Sequence, residues 1–429
     1  MDDLITFFSF SDPNIRYVVF GSILLAASSA IVGCFTLLKK KALVGDAVAH
    51  SVLPGVCMAF LFTGTKNISF LICGAFFTGW MSLLLIDYIV AHSKIKKDAA
   101  IGLVLSVFFG IGIVLLTFIQ QSGNASQSGL DSFIFGKAAA LVGSDLITFG
   151  LIAIILLIVV SVFFKSLTLV SFDENFAKSL GFPVRGLDML LTTLTVLAVV
   201  TGITAVGVVL MAAMLITPGA AARYWTDNIR TMVIIAAIFG AISGILGAYI
   251  SYVAPSMPTG PWMVVASSFI ALVSFFLAPK KGILAKWVSN NRNKTIMREE
   301  NTLKAFFHLG ERDGDFTVPR SMAILANKRR MGEKQLRKSL VTLRSKGFVQ
   351  EAEGHWMLTE TGMQNAARII KLHRLWELYL TNYMHIAPDH VHDDAETIEH
   401  IITPEIENEL ELLLGYPGND PHKQKIPRL

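Results

Sequence analysis

The chain has 429 residues, of which 53% are hydrophobic and only 16% charged, with a formal net charge of +5 and a mean hydropathy of +0.57. That balance excludes an ordinary soluble globular chain, and so small a net charge is better read by location than as a total. The apolarity is also uneven. Residues 17–279 carry run after run of about 20 apolar residues, each long enough to cross a bilayer as a helix, whereas residues 290–429 are rich in Lys, Glu, His and Arg. The expected organisation is a transmembrane domain, 1–289, followed by a soluble domain, 290–429. Residues 1–12 lack the positive n-region of a cleavable signal, so the first apolar run is expected to stay as a membrane helix. Cys34, Cys57 and Cys73 all fall inside apolar runs and read as packing residues.

In chain order the predicted spans are 17–36, 42–63, 68–90, 99–119, 146–164, 187–203, 205–222, 231–250 and 261–278. Lys39, Lys40 and Lys41 follow the first span, and Lys94, Lys96 and Lys97 the third. Lys165, Lys178 and Arg185 follow the fifth, Arg223 and Arg230 the seventh, and Lys280 and Lys281 the last. The alternate loops are poor in positive charge, so an N-out, C-in arrangement satisfies every basic cluster and puts the soluble domain in the cytoplasm. Residues 192–225 barely hold two crossings and are interrupted by Gly202, Gly207, Pro218 and Gly219; a broken or re-entrant helix fits there, and the count is eight or nine. The polar loop 120–132 reads as an outer-face loop.

Within the second span, Asp46 and His50 lie four residues apart and so share a helix face. An Asp at the bilayer centre costs about 2.5–3.5 kcal/mol on insertion scales, so such residues usually line a pathway or a site. A carboxylate oxygen and an imidazole nitrogen make a reasonable first shell for Zn²⁺, Mn²⁺ or Fe²⁺. The alternative is that Asp46 caps a helix and His50 bonds a neighbouring one. In the cytoplasmic loop after the fifth span, residues 171–181 show a short amphipathic helix pattern. Ser171 or Asp173 can cap its start and Gly181 its end; it could dock on a soluble partner or lie on the headgroups.

Taken together, GDAVAHSVLPG (45–55), FDENFAKSLGFPVRGLD (172–188), VGVVLMAAMLITPGAAARYW (206–225) and PTGPWMVVASSF (258–269) resemble the permeases of zinc/manganese/iron ABC importers over residues 17–279. The resemblance implies an all-α polytopic membrane protein of the type II ABC importer permease kind, in the bacterial cytoplasmic (inner) membrane. It implies a homodimer working with two cytoplasmic ATPase subunits and an extracytoplasmic metal-binding protein. It makes Asp46 and His50 the metal pathway, with Mn, Zn or Fe as cargo and no organic cofactor. It also makes residues 172–181 the helix that couples to the ATPase, through Phe172, Asp173, Glu174, Ala177, Leu180 and Gly181. No Walker A string (GxxxxGK[ST]) occurs in the chain, so ATP hydrolysis is assigned to a separate subunit.

In the soluble part, helical patterns at 296–309, 320–327 and 331–343 precede two strand-like runs, 348–351 and 355–358. Three helices and a β-hairpin make a winged helix-turn-helix, whose basic helix, with Lys334, Arg337 and Lys338, would face a DNA major groove, or else be a solvated face or touch anionic lipid. His373 and Glu377 then share one helix face, while Glu396, Glu399 and His400 share another, just after His392. Such sets suit a divalent metal, and solvated helices are rich in Glu in any case. LHRLWE (372–377), His392, Glu396, Glu399, His400 and the 415–427 segment resemble the metal-dependent repressors of the diphtheria-toxin-repressor family over 296–429, implying a winged helix plus a helical dimerisation part. The resemblance implies that Glu396, Glu399 and His400 belong to one metal site and His373, Glu377 and His392 to a second. The family draws further ligands from its first helix. The corresponding positions here are Asn301 and Lys304, and a lysine does not ligate at neutral pH, so the first site is incomplete. Three functions follow for this domain: metal sensing that modulates transport, transcriptional repression, or dimerisation alone.

Overall fold

The computed structural model describes residues 2–65, 67–121, 136, 141–254, 257–329, 331–386 and 403–427. His392, Glu396, Glu399 and His400, and most of the outer-face loop expected at 120–132, lie outside them. The chain divides into two compact units, Met1–Lys286 and Trp287–Leu429.

The first unit is wholly helical among its described residues. A short α1 (Asp2–Ser9) precedes α2 (Pro13–Leu38), whose start is set by Asp12 accepting from the Asn14 amide and by a proline in the first turn. The second span is broken into α3 (Ala42–Ser51) and α4 (Leu53–Thr63). Pro54 has no N–H to give to the His50 carbonyl, so the helix is interrupted beside the residue the sequence singled out. Then come α5 (Ile68–His92), α6 (Lys97–Gln121), α7 (Gly143–Val162), α8 (Phe164–Phe172) and α9 (Glu174–Ser179). The unit closes with α10 (Val184–Val206), α11 (Val208–Trp225), α12 (Ile229–Val253) and α13 (Thr259–Leu277). Among the described residues, eight helical segments are long and apolar enough to span a membrane, with α3 and α4 counted as one and α11 not among them.

The interruption expected within 192–225 falls at Gly207, with φ +91° and ψ 160°, backbone that only glycine adopts readily. Pro218 stays inside α11. Helices α3, α10 and α11 form the centre of the apolar core, where Val48, Val52, Val196, Val199, Met211 and Leu215 are almost fully buried. Packing there is close: a Cβ on Gly33 would lie 1.7 Å from the Leu215 carbonyl oxygen. Cys34 and Cys57 are buried and unpaired by disulfide, as packing residues would be; Cys73 is exposed.

The second unit contains all but the first four residues of α14 (Ile283–Asp313), then α15 (Met322–Arg329) and α16 (Glu333–Ser345). An antiparallel hairpin follows, β1 (Val349–Ala352) with β2 (His355–Leu358), in the register Val349 opposite Leu358. A bridge from Arg320 to Trp356 extends it. Phe306, Phe307, Leu325, Leu336, Leu340, Val349 and Trp356 form one core, which makes this the expected winged helix. Two further helices follow, α17 (Glu360–Tyr383) and α18 (Pro404–Leu413).

Candidate functional site

On α3 the one-turn spacing brings His50 Nε2 to 3.5 Å from Asp46 Oδ1. The Asp46 side chain is 42% exposed and that of His50 only 20%. The His50 ring meets Phe109 of α6 edge-on, with centroids 5.0 Å apart, which fixes the plane of the imidazole. His50 Nδ1 is buried and has no hydrogen-bond partner among the described residues. A buried imidazole nitrogen left unsatisfied is costly in a structural role, and is what a ligand to a passing cation requires. Gly45 lets α11 approach closely: a Cβ there would sit 2.9 Å from Leu215 Cδ2. Phe109 was not singled out in the sequence, because nothing in a run of apolar residues marks the one that touches a histidine.

At the start of α9, Asp173 rather than Ser171 is the cap, its Oδ1 accepting from the Phe176 amide at 2.9 Å. Gly181 takes φ +82° and ends the turn. Glu174 and Lys178 pair at 3.1 Å along the helix. Ala177 is fully buried against Val170, Val184 and Leu187, so it anchors α9 rather than presenting itself. The presented residues are Phe172, Phe176 and Leu180, spaced by four and each more than half exposed. Phe176, not singled out in the sequence, is exposed alongside Phe172 and Leu180. Four residues beyond α9 begins α10, whose Asp188 receives Lys39 and, at 3.1 Å, Lys41 Nζ. Lys41 is the residue before α3, so one ion-pair cluster joins the α9–α10 segment to the helix that bears Asp46.

In the second unit, Lys334, Arg337 and Lys338 are exposed on α16. His373 and Glu377 meet as expected, Nε2 to Oε1 at 3.1 Å, both buried. They meet a third residue too. Lys304 of α14, with 0% exposure, places Nζ 3.4 Å from His373 Nδ1. Beside them lies a cavity of about 340 Å³ lined by His308, Arg374, Asp420 and His422 as well. Among the described residues, no group of three or more His, Cys, Asp or Glu side chains is arranged to hold a metal ion. The Asn301 side-chain oxygen is buried and has no hydrogen-bond partner among the described residues.

Residues 11–278 match the ABC 3 transport family. The chain belongs to that family. This ABC 3 family chain is 42% identical over 415 residues to the "Manganese transport system membrane protein MntC" of Bacillus subtilis, covering 96% of this chain and 94% of the relative. It is 40% identical to the "Zinc transport system membrane protein TroC" of Treponema pallidum, over 68% of this chain and 97% of that one. Among solved structures, "PsaBC from Streptococcus pneumoniae in complex with Fab" is 32% identical, with a TM-score of 0.59, covering 65% of this chain and 97% of its own. The family match takes in Asp46, His50 and the whole of α9. Residues 359–428 match a second description, "Iron dependent repressor, metal binding and dimerisation domain". The chain is therefore a multi-pass ABC transport protein carrying a metalloregulator-like domain.

Proposed function

We propose that this protein is the permease subunit of an importer for a divalent transition metal, manganese or zinc foremost and iron within the same chemistry, with Asp46 and His50 as donors along the path. The observation that carries the reading is the Asp46–His50 pair beside the helix break, with His50 Nδ1 buried and unsatisfied. The pair offers fewer donors than the four or more such ions take. Water completes the shell, and a cation held by so few protein groups can leave as well as enter, as conduction requires. The names of the manganese and zinc relatives support the cargo.

The working assembly is a homodimer in the bacterial inner membrane with cytoplasmic ATPase subunits docked on Phe172, Phe176 and Leu180, and an extracytoplasmic metal-binding protein delivering the ion. The basic loops support a cytoplasmic second unit. In that unit we assign metal sensing to His392, Glu396, Glu399 and His400, with the metal-loaded form biasing the transporter towards rest; such feedback requires the two states to bind metal with different affinity. Purified complex in proteoliposomes, offered Mn²⁺, Zn²⁺ and Fe²⁺ in competition, tests the cargo: no ATP-dependent uptake of any of them overturns it. Uptake equally sensitive to internal metal in wild type and in Glu399→Ala with His400→Ala overturns the sensing role.

The exposed Lys334, Arg337 and Lys338 on a formed winged helix favour one second reading, DNA binding by residues 290–429. A metal-dependent gel shift of the full-length protein on its own promoter would establish it.

A further inference from the structure

We propose that Lys304 is the resident cation of the His373–Glu377 pair, so that this part of the regulator-like domain is closed to divalent metal. The family resemblance expects metal ligands here, and the residues present do not fit one. An ammonium can only donate hydrogen bonds. Lys304 Nζ stands 3.4 Å from His373 Nδ1, and with Lys304 as an ammonium Nδ1 is the acceptor. The ring proton then belongs on Nε2, where it donates to Glu377 Oε1 at 3.1 Å. Both ring nitrogens are thereby engaged, and the imidazole has no lone pair left for a metal. Glu377 accepts the N–H of the ring that the ammonium polarises.

Burial makes the arrangement stable against exchange. Lys304 is 0% exposed, His373 4% and Glu377 2%. At so little exposure, even at the wall of the cavity, a carboxylate demands a cation and a buried lysine an acceptor. The Lys304–His373 contact joins α14 to α17 within one chain, across 69 residues of sequence. A divalent ion entering here would have to displace an ammonium tethered to the core, and the two charges repel at contact distance. The contact between α14 and α17 is thus made without metal, where the resemblance would have made it metal-dependent. The domain's sensitivity to metal then rests on its other donors alone. This inference rests on reading the domain as regulator-like, but not on the cargo or on the assignment of Glu399 and His400.

The test is Mn²⁺ binding to the full-length protein in lipid nanodiscs, counted by equilibrium dialysis. His373→Ala and Glu377→Gln are expected to bind as many Mn²⁺ ions per chain as wild type. Lys304→Glu, which puts a carboxylate where the ammonium sat, is expected to gain an ion per chain and to lose it again when combined with His373→Ala. Loss of a Mn²⁺ ion from the single His373→Ala variant overturns the proposal, as does a folded Lys304→Glu that gains none. Should Lys304→Glu fail to fold, the His373→Ala count decides alone. Failure of the sensing role would appear in the uptake assay of Glu399→Ala with His400→Ala and leaves these counts unchanged.

Discussion

Asp188 ties the α9–α10 segment to α3, the helix of Asp46 and His50, and replacing it with Asn is the perturbation that isolates this link. The carboxylate is 30% exposed, while its partners Lys39 and Lys41 are 7% and 18% exposed. Breaking a fully buried ion pair costs about 3–5 kcal/mol, and an exposed one about 0–1 kcal/mol. The cluster lies between these limits, and Asn still accepts from one lysine, so a loss of about 1–2 kcal/mol is expected. At about 2–4 °C per kcal/mol for a large domain, that is a fall in melting temperature of about 2–8 °C. Thermal unfolding in detergent measures it, and the ratio of metal transported to ATP hydrolysed in proteoliposomes measures coupling. Asp188→Asn should lower both, and Asp188→Glu, which keeps the charge, should restore most of each. An Asp188→Asn protein with wild-type melting and wild-type coupling would refute the link.

Three further outcomes follow from the same geometry. Gly33→Val forces side-chain atoms into the Leu215 carbonyl, where even a Cβ would sit at 1.7 Å, so its cost exceeds the usual overpacking penalty of about 1–3 kcal/mol and size-exclusion of the solubilised protein should show loss of the folded peak. Phe176→Ala removes an exposed ring and should leave stability within about 0.5 kcal/mol of wild type, while weakening ATPase association about tenfold in a titration with that subunit. Burial pulls Lys371 downward, but Glu411 and Glu407 outweigh it and hold the amine above its ordinary 10.5. A raised basic group contributes fully below its unfolded value and loses that contribution as pH rises through the folded one, so melting curves of wild type and Lys371→Met should differ at neutral pH and converge in the alkaline range above 10.5.

The membrane helices were legible because hydropathy over about 20 residues is a strong, local signal. The tight stretch around Gly202, Gly207, Pro218 and Gly219 announced a break but not its place. Gly207 carries it because a positive φ suits only glycine, while Pro218 is accommodated within α11. Asp46 and His50 were legible as a pair, since four-residue spacing on a helix fixes their proximity. The orphaned His50 Nδ1 and the Phe109 contact were not, since they depend on how α6 packs. Likewise the sequence flagged Lys304 as a departure from a ligand position, yet only packing of α14 on α17 brings its ammonium to His373. At α9 the amphipathic pattern left docking and a headgroup-bound helix open, and the resemblance pointed to docking; that Ala177 turns inward and Phe176 outward depends on how α8 and α10 pack against it.

The central claim is that Asp46 and His50 carry the metal. Its most direct test is ATP-dependent Mn²⁺ uptake by the reconstituted complex, comparing wild type with Asp46→Ala and His50→Ala, each first shown to fold and to bind the ATPase. Both variants should hydrolyse ATP yet move little or no Mn²⁺. Uptake at the wild-type rate in both would contradict the account.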